Sequence, residues 1–277
     1  MSSCCSRFLA EFRLPFFSLQ DTNGKTIDLN ETFASTSKIV WFTKFLLVVF
    51  GISGIAIDIS DEGVYKAFWL SKLTHWGELI GTTYLILSFI VSVGWIPVIS
   101  GENEKEAASV TAWTKILWGL FPAIITMETI IVVIYWFAIY EGEQVQYDAL
   151  FGHGLLFLGI AFDGHFLNRT PIRVKQLFFV YFISVPYVIW TLIHGLATDI
   201  GNPKSVDTPD GDDDALYSVL NWSERPLPTF IVVVLLHVVA GPLFFAIYWG
   251  VSLVIPRRYL SEEVEMTPGA NEFNVDV

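Results

Sequence analysis

The chain has 277 residues, of which 53% are hydrophobic, 16% aromatic and 16% charged, and its formal net charge is -12 at pH 7. A mean hydropathy of +0.54 lies above what a soluble domain of this length needs for its core. The acidic balance excludes nucleic acid as a partner, because a phosphate backbone needs a basic footprint.

Residues 1–38 read as a cytosolic N-terminal segment. They lack a continuous apolar run, and Glu11 and Arg13 interrupt what there is, so no cleavable signal peptide is expected and the first apolar stretch directs insertion. Cys4 and Cys5 are adjacent and followed by Arg7, which argues against a disulfide framework and makes them candidates for S-acylation.

Six apolar stretches follow, at 39–57, 73–97, 116–140, 149–167, 177–196 and 229–255. Each meets the requirement of roughly 20 mainly apolar residues for a spanning helix. The fold class expected is therefore all-α, a polytopic six-transmembrane-helix bundle over residues 39–255. With both termini cytosolic, Arg7, Arg13, Lys25, Lys38, Lys44, Lys105, Lys115, Arg169, Arg173, Lys175, Arg257 and Arg258 are inner cations. Only Lys66, Lys72, Lys204 and Arg225 fall outside, twelve against four, and the positive-inside rule selects this orientation. Nothing in the pattern decides between the plasma membrane and the endoplasmic reticulum, and nothing specifies protein partners.

The outer loop 197–228 holds an acidic, Gly- and Pro-containing first half that cannot bury enough apolar surface to fold alone. Its second half, with Trp222, suits an interfacial position. Asn221 is a glycosylation acceptor on the outer side, whereas Asn30 and Asn168 share the pattern on the cytosolic side. Residues 256–277 read as a disordered acidic cytosolic tail.

Ionisable residues inside spanning helices cost some 2.5–3.5 kcal/mol each on insertion scales, so each one asks for a partner or a wet cavity. Taken by distance from the outer end, Thr74 lies about one residue deep, His153 about four, His194 about two and His237 about eight, at 1.5 Å per residue. Glu78 follows Thr74 by four residues and projects from the same helix face. Thr74 and His153 are thus the candidate nucleophile and base, with His75, Glu78, Glu128, His194 and His237 as a supporting polar cavity. Each also has a structural use: Thr74 as a helix cap, the histidines as interhelical hydrogen-bonding groups, and Glu128 as a protonated clamp. Asp163 and His165, near the cytosolic end, are expected to face headgroups and receive no catalytic role.

The string Lys72-Leu73-Thr74-His75-Trp76, the ending Tyr135-Trp136, the His153 helix closing on Asp163 and Pro171-Ile172-Arg173, and Leu220-Asn221-Trp222 resemble the rolling stone family and, more distantly, the androgen-induced membrane proteins. The latter are six-helix intramembrane hydrolases of fatty acid esters of hydroxy fatty acids, with a Thr nucleophile and a His on a later helix. The resemblance implies those roles for Thr74 and His153 and a lipid-ester substrate, with no metal and no cofactor. The rolling stone branch is linked to cell fusion, which implies the alternative of a non-enzymatic membrane protein acting in fusion or adhesion. A heme or metal carrier ranks third, since the outer histidines fall one per helix rather than two on each of two facing helices.

Overall fold

The computed structural model describes residues 4–61, 69–100, 109–140, 142, 144–196 and 217–260. Residues 197–216 of the acidic loop and 261–277 of the expected C-terminal tail lie outside the described residues, whereas 256–260, expected to be disordered, are described. Those described form eight helices: α1 (Cys4–Arg13), α2 (Leu29–Phe33), α3 (Lys38–Asp61), α4 (Leu73–Ser92), α5 (Ala112–Ile139), α6 (Tyr147–Leu167), α7 (Leu177–Leu196) and α8 (Pro226–Val254). A two-residue antiparallel ladder, Ile99–Ser100 on Ser109–Val110, closes the connection between α4 and α5. The all-α class stands.

Five segments are long and apolar enough to cross a membrane: Lys38–Ser60, Ala112–Ile139, Tyr147–Leu167, Val174–Leu196 and Pro226–Val254. Helix α4 has 20 residues but mixes His75, Glu78, Thr82, Thr83 and Ser88 into its apolar sequence. It ends at Ser92 rather than continuing to residue 97, because Gly94 takes a positive φ of 81° and lets the Trp95 amide reach back to the Ile90 carbonyl at 3.2 Å, a C-terminal stop that favours glycine. Helix α5 begins at Thr111, whose hydroxyl accepts from the Thr114 amide at 3.3 Å, as an N-cap does.

The core is built around α5. Leu117, Trp118, Phe121, Ile124 and Ile125 are fully buried and pack with Tyr84 and Leu85 of α4, Leu156 and Ile160 of α6, and Phe245 of α8. The most apolar stretch of α5 is 67% buried within the protein, whereas that of α8 is 11% buried. The outer helices turn Phe45, Val49, Phe178, Phe182, Ile189, Val238 and Leu243 outward. Contiguous apolar surface on this scale is not left to water, and it fits lipid contact.

Three of the long helices are interrupted by wide i→i+5 turns: Tyr135–Ile139 in α5, Phe151–Leu155 and Asp163–Leu167 in α6, and Leu235–Ala240 in α8. The Tyr140 amide thus bonds the Tyr135 carbonyl at 2.8 Å, and the Asn168 amide the Asp163 carbonyl at 2.9 Å. Such turns concentrate at functional positions in helices, and here His153, Asp163, His165 and His237 all lie in them.

At the end where residues 26–28 meet 258–260, two expectations need correction. Lys44 is not a loop cation: it is buried in α3, 3.1 Å from Asp163 Oδ1, and its ammonium donates to Ser88 Oγ at 2.5 Å and Asn168 Oδ1 at 2.6 Å. Asp163 does not face headgroups, being fully buried, and its Oδ2 accepts from Tyr84, Ser88 and Asn168 at 2.7, 2.7 and 2.9 Å. The reason is mutual: a lone charge at this depth is costly, whereas a paired and hydrogen-bonded one is held. His165 is buried too, between Phe121 and Tyr248.

Arg173 is likewise enclosed. Its guanidinium donates to Glu11 Oε1 at 2.9 Å and to the Ser18 and Gln20 carbonyls at 2.8 Å, fastening the N-terminal segment over this end. Burial pulls Arg173 below its ordinary value, and Glu11 offsets that in part. The two terminal segments also pair with each other. The Asp28 amide bonds the Arg258 carbonyl at 2.9 Å and the Leu260 amide the Thr26 carbonyl at 3.1 Å.

Candidate functional site

The opposite end gathers a second group of buried polar side chains. Helix α4 starts after Lys72, so Thr74, His75 and Glu78 occupy its first turns and point at the last turn of α3 and the first turns of α6. What permits the approach to α6 is Gly152. A Cβ there would come within 2.9 Å of Thr74 Cγ2 and would collide with Glu78 Oε1. Phe151 fills the space a side chain at Gly54 would need and so wedges the start of α6 against α3.

Thr74 is half-buried and has the Tyr217 hydroxyl beside its side chain. The same hydroxyl accepts from the Leu73 amide at 3.1 Å. Burial raises Tyr217 above its ordinary value, so it stays a neutral phenol able to donate. His153 follows Gly152 with non-helical φ and ψ of -116° and 25°. Its ring stacks on Tyr135 with centroids 3.5 Å apart and planes at 10°. The carbonyl of His153 accepts from Trp136 Nε1 at 2.7 Å. Its Nδ1 is buried and has no hydrogen-bond partner among the described residues. Thr74 and His153 are neighbours through Gly152, and no hydrogen bond joins them among the described residues.

Next to Thr74 on α4 sits a carboxylate-rich cluster of buried side chains. His75 Nε2 lies 3.1 Å from Asp58 Oδ2, and its Nδ1 is hydrogen-bonded to the Trp69 carbonyl. The His75 and Trp69 rings stack at 4.5 Å and 5°, and the Trp69 indole N–H donates to Asp58 Oδ2. Glu78 is 1% exposed with Oε2 unpartnered, and Glu128 is fully buried with both oxygens unpartnered among the described residues. Glu128 Oε1 lies against the α-carbon of Gly77, next to Glu78.

Of the expected cavity, His75, Glu78 and Glu128 therefore join Thr74 and His153. The other two histidines keep different company. His194 is fully buried with its ring 5.7 Å from Trp190. His237 takes the Val233 carbonyl at 2.9 Å through Nδ1 and faces the Tyr181 ring. Asn221 is 6% exposed, and its side chain serves the turn before α8. Its Oδ1 accepts from the Ser223 hydroxyl at 3.0 Å and the Glu224 amide at 2.9 Å, and its Nδ2 donates to Glu224 Oε2 at 3.1 Å. In this fold the amide that a sugar would need is enclosed. Cys4 and Cys5 open α1.

Two members of the site escape a reading of the sequence. Asp58 lies one residue beyond the apolar stretch as bounded at 57, although the helix runs on to Asp61; counting acids within a turn of each boundary would have included it. Tyr217 carries no sequence signal, since nothing local ties it to α4. No family model, no curated protein and no solved structure matches the chain.

Proposed function

We propose that the chain crosses the membrane six times with both termini in the cytosol, and that the enclosed polar centre at the outer end belongs to an intramembrane hydrolase of lipid esters. The pairing of residues 26–28 with 258–260 supports the crossing number. Segments that hydrogen-bond to each other lie on one side of a bilayer, which requires an even count. With five apolar spans, the 20-residue α4 is the sixth, long enough to span at about 1.5 Å per residue. His75, Glu78, Thr82 and Ser88 are tolerable there because they are buried in the bundle, and the exposed Thr83 hydroxyl donates to the Leu79 carbonyl at 2.7 Å.

The observation that carries the chemical reading is the close approach of α4 to α6, where the Thr74 methyl stands 2.9 Å from the place of a Cβ on Gly152, next to the turn holding the unpartnered, buried Nδ1 of His153. In the reaction proposed, Thr74 Oγ attacks the ester carbonyl while its proton passes to His153. The alcohol leaves with that proton, and water then hydrolyses the acyl-threonine with His153 again as base. Tyr217 is positioned to donate to the oxyanion, a contribution of several kcal/mol at other sites of this kind. The resemblance to the androgen-induced membrane proteins points the same way, and the fusion or adhesion alternative rests on resemblance alone.

The test is hydrolysis of fatty acid esters of hydroxy fatty acids by the full chain purified in detergent. Turnover that falls at least 100-fold in both Thr74→Ala and His153→Ala supports the reading. Turnover unchanged by both substitutions, or absent in the unaltered protein, removes it.

A further inference from the structure

We propose that Asp58, His75 and Glu78 form a binding site for a divalent transition-metal ion, with zinc as the best match. This does not rest on the hydrolase reading. His75 and Glu78 are three residues apart on α4 and so project from one helix face, and Asp58 meets them from the last turn of α3. One donor atom from each lies within 4.8 Å of the others, and all three residues are buried. Around an ion with ligands at about 2.1 Å, tetrahedral donors stand ~3.4 Å apart, so small side-chain rotations close the site.

Two further features separate this from a chance gathering of acids. The first is the outer layer. The Trp69 carbonyl receives His75 Nδ1 and the parallel Trp69 ring holds the imidazole plane, so Nε2 is the nitrogen presented to Asp58. The indole N–H of the same Trp69 fixes the Asp58 carboxylate. Ligating histidines and carboxylates are oriented by such secondary bonds, and their loss weakens metal affinity. The second is the unsatisfied charge. Glu78 Oε2 and both oxygens of the fully buried Glu128 have no hydrogen-bond partner among the described residues, a costly state for acids out of water. When ionised, Asp58, Glu78 and Glu128 carry three negative charges against the imidazole, with Lys72 close enough for its charge to act on Asp58. A divalent cation supplies the missing positive charge. One imidazole with carboxylate oxygens is a ligand set that suits zinc, with manganese and ferrous iron behind it.

The competing arrangement is an imidazolium–carboxylate pair of His75 and Asp58 beside protonated Glu78, which needs no metal. Full chain in detergent, freed of any affinity tag and stripped with chelator, is titrated with Zn2+ by calorimetry, followed by elemental analysis after gel filtration and by thermal unfolding. The proposal expects one zinc per chain and a rise in Tm with zinc. Asp58→Asn and Glu78→Gln are each expected to weaken binding at least tenfold and abolish that rise. If the variants do not fold, the unaltered protein alone decides. A stoichiometry near zero, no shift of Tm with zinc, or binding unchanged in both folded variants overturns the site.

Discussion

Lys44→Met tests how the six long helices are held together. The substitution shortens the unbranched side chain by one heavy atom and removes the charge, leaving Asp163 buried. Breaking one side of a buried pair costs about 3–5 kcal/mol. Asp163 retains its bonds from Tyr84, Ser88 and Asn168 at 2.7–2.9 Å, and bonds to a charged acceptor are worth about 1.5–3 kcal/mol each, so the loss belongs at the lower end, near ~3 kcal/mol. For a chain of this size each kcal/mol moves Tm by roughly 2–4 °C, giving an expected drop of about 6–12 °C. The assay is thermal unfolding in detergent followed by tryptophan fluorescence, with Asp163→Asn and the double variant completing a cycle. The double variant should recover part of the loss, with a coupling of about 2 kcal/mol. A Tm within ~2 °C of the unaltered protein, or strictly additive losses, would show that Lys44 and Asp163 do not meet in a dry interior.

Three other perturbations follow from the same structure. Gly152→Val should close the approach between α4 and α6, since even its Cβ would strike Glu78 Oε1 and press on Thr74; ester turnover should be lost at least tenfold while helix content by circular dichroism is kept. Arg173→Ala removes the guanidinium that fastens Glu11, Ser18 and Gln20 and should make residues 14–25 cleavable by limited proteolysis, with Arg173→Lys restoring protection only in part. Asp21 gives a pH signature. Burial alone would raise its carboxyl, but the Asn23 and Lys25 amides, the Tyr259 hydroxyl and Arg257 outweigh that and hold it below its ordinary value of 3.8. A depressed carboxyl contributes stability that is complete above the unfolded value and is lost as pH falls through the folded one. Hydrogen exchange at the Asn23 and Lys25 amides should therefore quicken as pH falls below about 4, relative to a parallel loop standard, and Asp21→Asn should remove that step.

The five helices long and apolar enough to cross a membrane were legible because apolar length is a property of composition. Helix α4 was legible as a stretch but not in its detail: its polar residues lower its hydropathy, and its end is set by the backbone at Gly94. The positive-inside count took in Lys44, which is buried against Asp163 and is not a loop cation. Lys44 sits early in α3, where a lysine can either reach back to the headgroups or turn inward, and only Asp163 on a distant helix decides which. The wide turns that hold His153, Asp163 and His165 have no sequence signature in this chain, so helix depth was estimated as if the spans were regular. Depth alone places Thr74 and His153 in one layer. The glycine between Phe151 and His153, which governs their approach, becomes meaningful only when α4 is seen packed against it.

The most direct test of the hydrolase reading is covalent capture of the nucleophile. Detergent-solubilised chain is treated with a fluorophosphonate, digested, and the modified residue located by mass spectrometry. The account predicts a single phosphonylated site at Thr74 that disappears in Thr74→Ala and is strongly reduced in His153→Ala. Labelling that persists in Thr74→Ala, or a protein that takes up no probe while retaining ester turnover, would contradict it.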